Sequence, residues 1–144
     1  ANECCVDNIP SFEKCYMRDE ENAQLYSTLK ESVSEIMNTY AGIIRSEEGL
    51  SEGLSEIDEL ESMVEHIAAK YADSALCEYY IEASRRLICV ARLIMSPALQ
   101  RKESRGGHYR EDYPSADERY AMHSIQRYGE PMTTAPVNSN YFNF

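Results

Sequence analysis

From Glu20 onward, apolar residues recur at steps of three and four. Leu25, Leu29, Val33, Ile36, Met37, Tyr40 and Ile44 form one stripe with polar residues between them, the period of an amphipathic helix. Asp19 can cap it, and Glu20 and Glu21 stand where the helix dipole favours negative charge. The pattern predicts a helix over about 20–45. A second stripe, Leu50, Leu54, Ile57, Leu60, Val64, Ile67, Ala68 and Tyr71, predicts a helix over about 47–71 with Ser46 as its cap. Gly49 and Gly53 weaken its first turns by up to about 1 kcal/mol each relative to Ala. A third stripe, Leu76, Tyr80, Ala83, Leu87, Val90, Ala91, Ile94, Ala98 and Leu99, predicts a helix over about 74–104 capped by Asp73 or Ser74. Pro97 should kink this helix, and Gly106-Gly107 should stop it.

Three amphipathic helices joined by short connections imply an all-α, up-down-up three-helix bundle over 20–107. The flanks differ in character. Residues 1–19 carry Pro10 and no long period, which suggests a linker with an anchoring point around Ile9-Pro10-Ser11-Phe12. Residues 108–144 form a long tail with almost no aliphatic period, rich in Tyr, Pro, Ser and Asn. A tail of this length lies on the bundle, lies on another domain, or is disordered, and its tyrosines favour docking. Ser115, Asp117 and Glu118 suggest a short helix near 115–123.

Composition narrows the partners. The chain has 144 residues and a net charge of −11, which disfavours nucleic acid and anionic membranes. No apolar run reaches the roughly 20 residues that a membrane helix needs. The charge is uneven: Arg85, Arg86, Arg92, Arg101, Lys102, Arg105 and Arg110 face only Glu103 in their stretch, whereas 47–65 holds acids and no Lys or Arg. This implies either two solvated helix faces of opposite sign or a basic surface that meets an acidic one. The start at Ala1-Asn2-Glu3-Cys4-Cys5 has neither an initiator Met nor a signal peptide, as expected for a cut inside a longer gene. Cys4, Cys5, Cys15, Cys77 and Cys89 lack C-x-x-C spacing and are odd in number, which indicates reduced, cytoplasmic usage and no metal site.

Candidate chemistry is sparse. His66 sits at the edge of the second stripe, and nothing around His123 suggests a triad. His108 follows the glycine pair and could be oriented by Glu103, Glu111 or Asp112, although a structural hydrogen bond suits it better than catalysis. No dinucleotide loop, P-loop, zinc-protease motif or nucleophile elbow is present, so no catalytic residue is assigned.

One run is distinctive. Arg101-Lys102-Glu103-Ser104-Arg105-Gly106-Gly107-His108-Tyr109-Arg110-Glu111-Asp112-Tyr113-Pro114 closely resembles the pattern R-x-E-S-R-G-x-H-x-R-x-D-Y/F-P near the C-terminus of the succinate dehydrogenase, fumarate reductase and L-aspartate oxidase flavoproteins. Tyr40-Ala41-Gly42-Ile43-Ile44-Arg45-Ser46 is similar to a stretch of the L-aspartate oxidase branch, and Ile9-Pro10-Ser11-Phe12 to the linker that leaves its flavin domain.

The resemblance implies a C-terminal helical domain, inactive alone, that packs on upstream FAD-binding and capping domains. It implies no cofactor in this stretch and FAD in the parent. The parent would be a cytoplasmic enzyme oxidising L-aspartate to iminoaspartate in NAD biosynthesis, with no membrane insertion; homo-oligomerisation is left open. The alternative branch implies a dehydrogenase or reductase subunit contacting an iron–sulfur partner. Arg101, Glu103, Ser104, Arg105, Gly106, His108, Tyr109, Arg110 and Asp112 are the candidate domain-docking residues. Their alternating charges permit internal ion pairs as well as docking.

Overall fold

A computed structural model of the chain describes residues 20–70, 75–127 and 131–137. Its elements are α1 (Glu20–Tyr40), β1 (Ile44–Arg45), α2 (Glu47–Lys70), α3 (Ala75–Gln100), β2 (Tyr109–Arg110), a 3₁₀ turn (Glu118–Tyr120), β3 (Met122–Ile125) and β4 (Thr133–Pro136). The three helices form the all-α bundle expected from the periodicity, each packing on the other two. The linker assigned to 1–19 and the cap assigned to Asp73 or Ser74 lie outside the described residues.

The core residues recur at steps of three, four or seven. Leu29, Val33 and Ile36 of α1 meet Leu50, Ile57 and Val64 of α2 and Ile81, Ile88, Ala91, Met95 and Ala98 of α3. Spacing of this kind keeps one seam facing inward along each helix. Ser84 shares the α3 seam and satisfies its hydroxyl by donating to the Tyr80 carbonyl at 2.7 Å.

The stripe expected for α3 holds only in part: Ala91 and Ala98 are in the core, with Leu87 and Leu99 packed against it. Val90 and Ile94 are exposed, and Ile81, Ile88 and Met95 occupy the core. This helix is apolar on more than one face, so its period allows two rotational settings. Contact with α1 and α2 selects one of them.

Element boundaries also move. α1 ends at Tyr40, before the expected 45, because Ile44–Arg45 is drawn into a parallel pairing in which Ile44 lies opposite Tyr109 and Arg45 opposite Arg110. Arg45 closes that bend by donating Nε to the Gly42 carbonyl at 2.8 Å. α3 ends at Gln100, before the expected 104, with Pro97 still inside it. The glycine pair does not stop that helix. Gly106 and Gly107 form the loop of a tight hairpin, closed by Arg105 N to His108 O at 2.8 Å and the reciprocal bond at 3.1 Å. Gly106 takes φ 60°, at the first central position, where a two-residue II′ loop requires it.

The tail is more ordered than its composition suggests. β3 and β4 pair antiparallel, Met122 opposite Pro136 and Ile125 opposite Thr133, and Ala135 is buried. The expected short helix near 115–123 is a 3₁₀ turn followed by a strand. Its cap is Asp117, whose Oδ1 accepts from Arg119 N at 2.9 Å, and not Ser115. A longer helix is excluded because Met122–Ile125 pairs with β4, and Arg101 donates to the Tyr120 and Met122 carbonyls at 2.7 and 2.8 Å.

Gly53 proves to be a packing requirement. A Cβ there would lie 2.5 Å from Met95 Cε and 2.8 Å from Tyr40 Cβ and Cδ2, where all three helices converge. Alanine would gain about 1 kcal/mol in helix propensity, but overpacking such a site costs about 1–3 kcal/mol. Tyr40 Cβ, close to the backbone, cannot swing away. Gly53→Ala is therefore expected to lower stability by up to about 2 kcal/mol in urea titrations; a stabilised variant would contradict the packing argument.

Candidate functional site

α2 and α3 run antiparallel, so the first turn of α2 and the last turn of α3 meet at one end of the bundle. The first has amides without helical partners and the second has carbonyls without them. Arg110, fully buried, answers the carbonyls: its Nη1 donates to Ala98 O at 3.0 Å and Leu99 O at 3.1 Å. Its other face forks onto Asp112, Nε to Oδ1 at 2.7 Å and Nη2 to Oδ2 at 2.6 Å. Asp112 in turn accepts the Glu47 amide, the first of α2, at 2.9 Å. A cation thus sits at the negative end of one helix and an anion at the positive end of the other. The hydrogen bonds of Arg110 outweigh desolvation and hold the Asp112 carboxyl down at about 2.

Around this pair lies a second layer. Glu47 accepts from Lys102 Nζ at 3.0 Å and from the Tyr113 hydroxyl at 3.3 Å. Lys102 Nζ lies 5.7 Å and Arg110 Cζ 5.2 Å from the Tyr113 ring centroid, within the range of a cation–π contact. Ser104 ties the loop to itself: its hydroxyl accepts from Arg110 N at 2.9 Å and donates to Tyr113 O at 2.8 Å.

Glu103 is the second buried centre. It accepts from Arg101 Nη1, from Arg105 Nε at 3.1 Å and from the Asp117 amide at 2.9 Å. Burial alone would push its carboxyl up. The Asp117 amide and the two guanidinium groups together outweigh burial and leave it below the usual glutamate range.

His108 connects the two centres. Nδ1 accepts from Arg45 Nη1 at 3.1 Å and Nε2 donates to Arg101 O at 3.1 Å, an arrangement that requires the neutral ring. Burial, followed by the charges of Arg45, Arg101 and Arg110, lowers its pKa despite the Arg101 carbonyl. The carboxylates that could have oriented it do not hydrogen-bond to it; a guanidinium and a backbone carbonyl do.

The structure brings together all nine residues singled out in 101–112 and adds Arg45, Glu47, Lys102, Tyr113 and Asp117 to them. Arg45 was legible only as part of the 40–46 stretch, because nothing local shows that it reaches a histidine 63 residues away. The seam's ions are spent on one another and on backbone, so it stabilises structure and has no free acid–base pair. The basic stretch of α3 likewise meets α2: Arg85 forks onto Glu65, with both contacts at 2.7 Å, and Arg92 Nη2 reaches Glu61 at 2.7 Å.

Neither the glycine loop nor the groove between α1 and α2 suits a flavin dinucleotide. The Gly106–Gly107 loop closes a hairpin and opens no helix. The groove of about 780 Å³ between α1 and α2 is lined by Glu35, Glu56 and Glu59, which would repel a diphosphate. Among the described residues no group of three His, Cys, Asp or Glu could hold a metal ion, and no helix is long and apolar enough to cross a membrane. Cys4, Cys5 and Cys15 lie outside the described residues.

The helical bundle is thus closed at one end by an internal ionic seam. The model of the fumarate reductase flavoprotein C-terminal region matches residues 30–143, and the chain belongs to that family. It is 39% identical over 92 residues to an uncharacterized FAD-dependent oxidoreductase of Methanocaldococcus jannaschii, covering 64% of this chain and 16% of the relative. It is 36% identical over 97 residues to the L-aspartate oxidase of Pyrococcus furiosus, covering 67% and 16%. With the L-aspartate oxidase of Acinetobacter baylyi it shares 29% identity over 134 residues, covering 93% and 24%. The chain thus spans between 16% and 24% of the length of these curated relatives.

Two outcomes test the seam. Asp112→Ala strands a buried guanidinium, a change that costs about 3–5 kcal/mol in an enclosed pair. With the Asp112 side chain 29% exposed, a loss of roughly 2–4 kcal/mol is expected in denaturant titration. The second outcome concerns pH. The folded state depresses the pKa of His108 from 6.5, so the unfolded chain takes up that proton first. The stability due to the neutral ring is complete above pH 6.5 and falls away as pH drops through the folded value. Asp112 adds a second loss below pH 3.8, through about 2. Melting temperatures measured against pH should show both limbs, and His108→Gln should flatten the first and leave the second.

Proposed function

We propose that this chain is the C-terminal helical domain of an L-aspartate oxidase-type flavoprotein, inactive alone and packed against upstream FAD-binding and capping domains. In that protein, FAD held by the upstream domains oxidises L-aspartate to iminoaspartate, a cytoplasmic step of NAD biosynthesis. The observation that carries this reading is the self-sufficiency of the seam. Arg110 and Glu103 are fully buried, His108 is held neutral between Arg45 and Arg101, and no proton-transfer pair faces solvent among these residues. The bundle therefore supplies support, and the redox chemistry belongs to another part of the polypeptide. Relatives named L-aspartate oxidase, of which the chain spans 16% to 24%, favour the aspartate branch.

The family model's own description favours a second reading, a dehydrogenase or reductase flavoprotein whose C-terminal domain contacts an iron–sulfur subunit. One assay separates the two. The purified flavoprotein that carries this domain should bleach its bound flavin with L-aspartate under anaerobic conditions and leave it oxidised with succinate. Bleaching by succinate alone would reverse the choice.

A further inference from the structure

We infer that the apolar edge formed by Ile43, Ile44 and Tyr109, beside the Gly106–Gly107 tip, is the surface that seats on the flavin-binding part of the parent polypeptide; this rests on the reading above. Ile43, Ile44 and Tyr109 are 85%, 62% and 42% exposed. Single exposed apolar residues are ordinary, but Ile44 stands opposite Tyr109 and Ile43 precedes Ile44 at the start of the strand, and adjacent exposed apolar residues mark contact surfaces. Ile44 and Tyr109 are partners across the β1–β2 pairing, and Arg45 and Arg110 are the next pair. Successive strand residues point to opposite faces, so the arginines turn into the seam while Ile44 and Tyr109 turn outward together.

The patch is held from behind. Arg45 is fixed through the Gly42 carbonyl at 2.8 Å and His108 at 3.1 Å, and the Glu111 amide donates to Arg45 O at 2.9 Å. A surface ordered in advance loses little freedom on docking. At the adjoining tip, a Cβ built on Gly106 or Gly107 meets nothing within 4 Å, which leaves room for another surface to approach the backbone.

The occupant follows from chemistry and length. The cations beside the patch, Arg45, Arg105 and Arg110, are already engaged within the chain, so charge is not what the patch offers. Apolar contact is, and that suits a permanent partner. The relatives of which this chain spans 16% to 24% are much longer, and we take the partner to be that further length of the same polypeptide. The charged residues of 101–112 are thus the frame of the docking site, with the isoleucines and Tyr109 as its contact.

The test uses the full flavoprotein. A photo-crosslinking phenylalanine analogue placed at Ile43 or at Tyr109 is expected to form intramolecular crosslinks to peptides of the flavin-binding part, mapped by mass spectrometry. Crosslinks joining two copies, or none beyond this domain, would overturn the inference. The double variant Ile43→Asp/Ile44→Asp is expected to release flavin roughly tenfold faster on dilution, as for loss of an interface anchor; release at the parent rate would count against it. Absence of L-aspartate turnover with the crosslinks intact would sink the substrate assignment alone.

Discussion

A guanidinium with no exposed surface lies between the last carbonyls of α3 and a carboxylate that caps α2, and the closed end of the bundle is organised around it. Arg110 cannot shed its charge, so burial is tolerable only because every face of the group has an acceptor. Those acceptors are Ala98 and Leu99 at the end of α3 and Asp112 in the following loop, and the Glu47 carboxylate at the start of α2 adds an ion pair at 3.8 Å. Satisfying one cation therefore sets where two helices end and how the loop between α3 and β2 must run.

The rest of that end repeats the logic at lower cost. Glu103 gathers Arg101, Arg105 and the Asp117 amide, and Arg101 extends the network to the carbonyls before and within β3. In this way the tail, which has no aliphatic stripe of its own, is held to the bundle by charge-assisted hydrogen bonds. The surface ion pairs between α2 and α3 add little individually. Acidic α2 facing basic α3 nevertheless penalises any slipped alignment that would place like charges together.

For function, the consequence is a division of labour within one loop. The ionic groups of 101–112 look inward and fix shape, while the adjacent β1–β2 edge looks outward. On the proposed reading, the domain offers that apolar surface to the part of the protein it packs against.

The amino-acid sequence alone determined the three helices, the cap at Ser46, the antiparallel order and the charged turn of 101–114. All of these depend on neighbours within a few positions, where period, capping and short connections act. It could not decide which apolar face of α3 is buried, since Val90 and Ile94 repeat at helical spacing just as Ile81, Ile88 and Met95 do. Nor could it show that Ile44 leaves the helical stripe to pair with Tyr109, that Gly53 is needed where Tyr40 and Met95 converge, or that Arg110 belongs to α3's carbonyls. Alternating charges in the turn allow several pairings, and only contact between segments far apart in the chain selects one. Those choices are made through space, by burial and by the need to satisfy every enclosed charge, and so they belong to the tertiary structure.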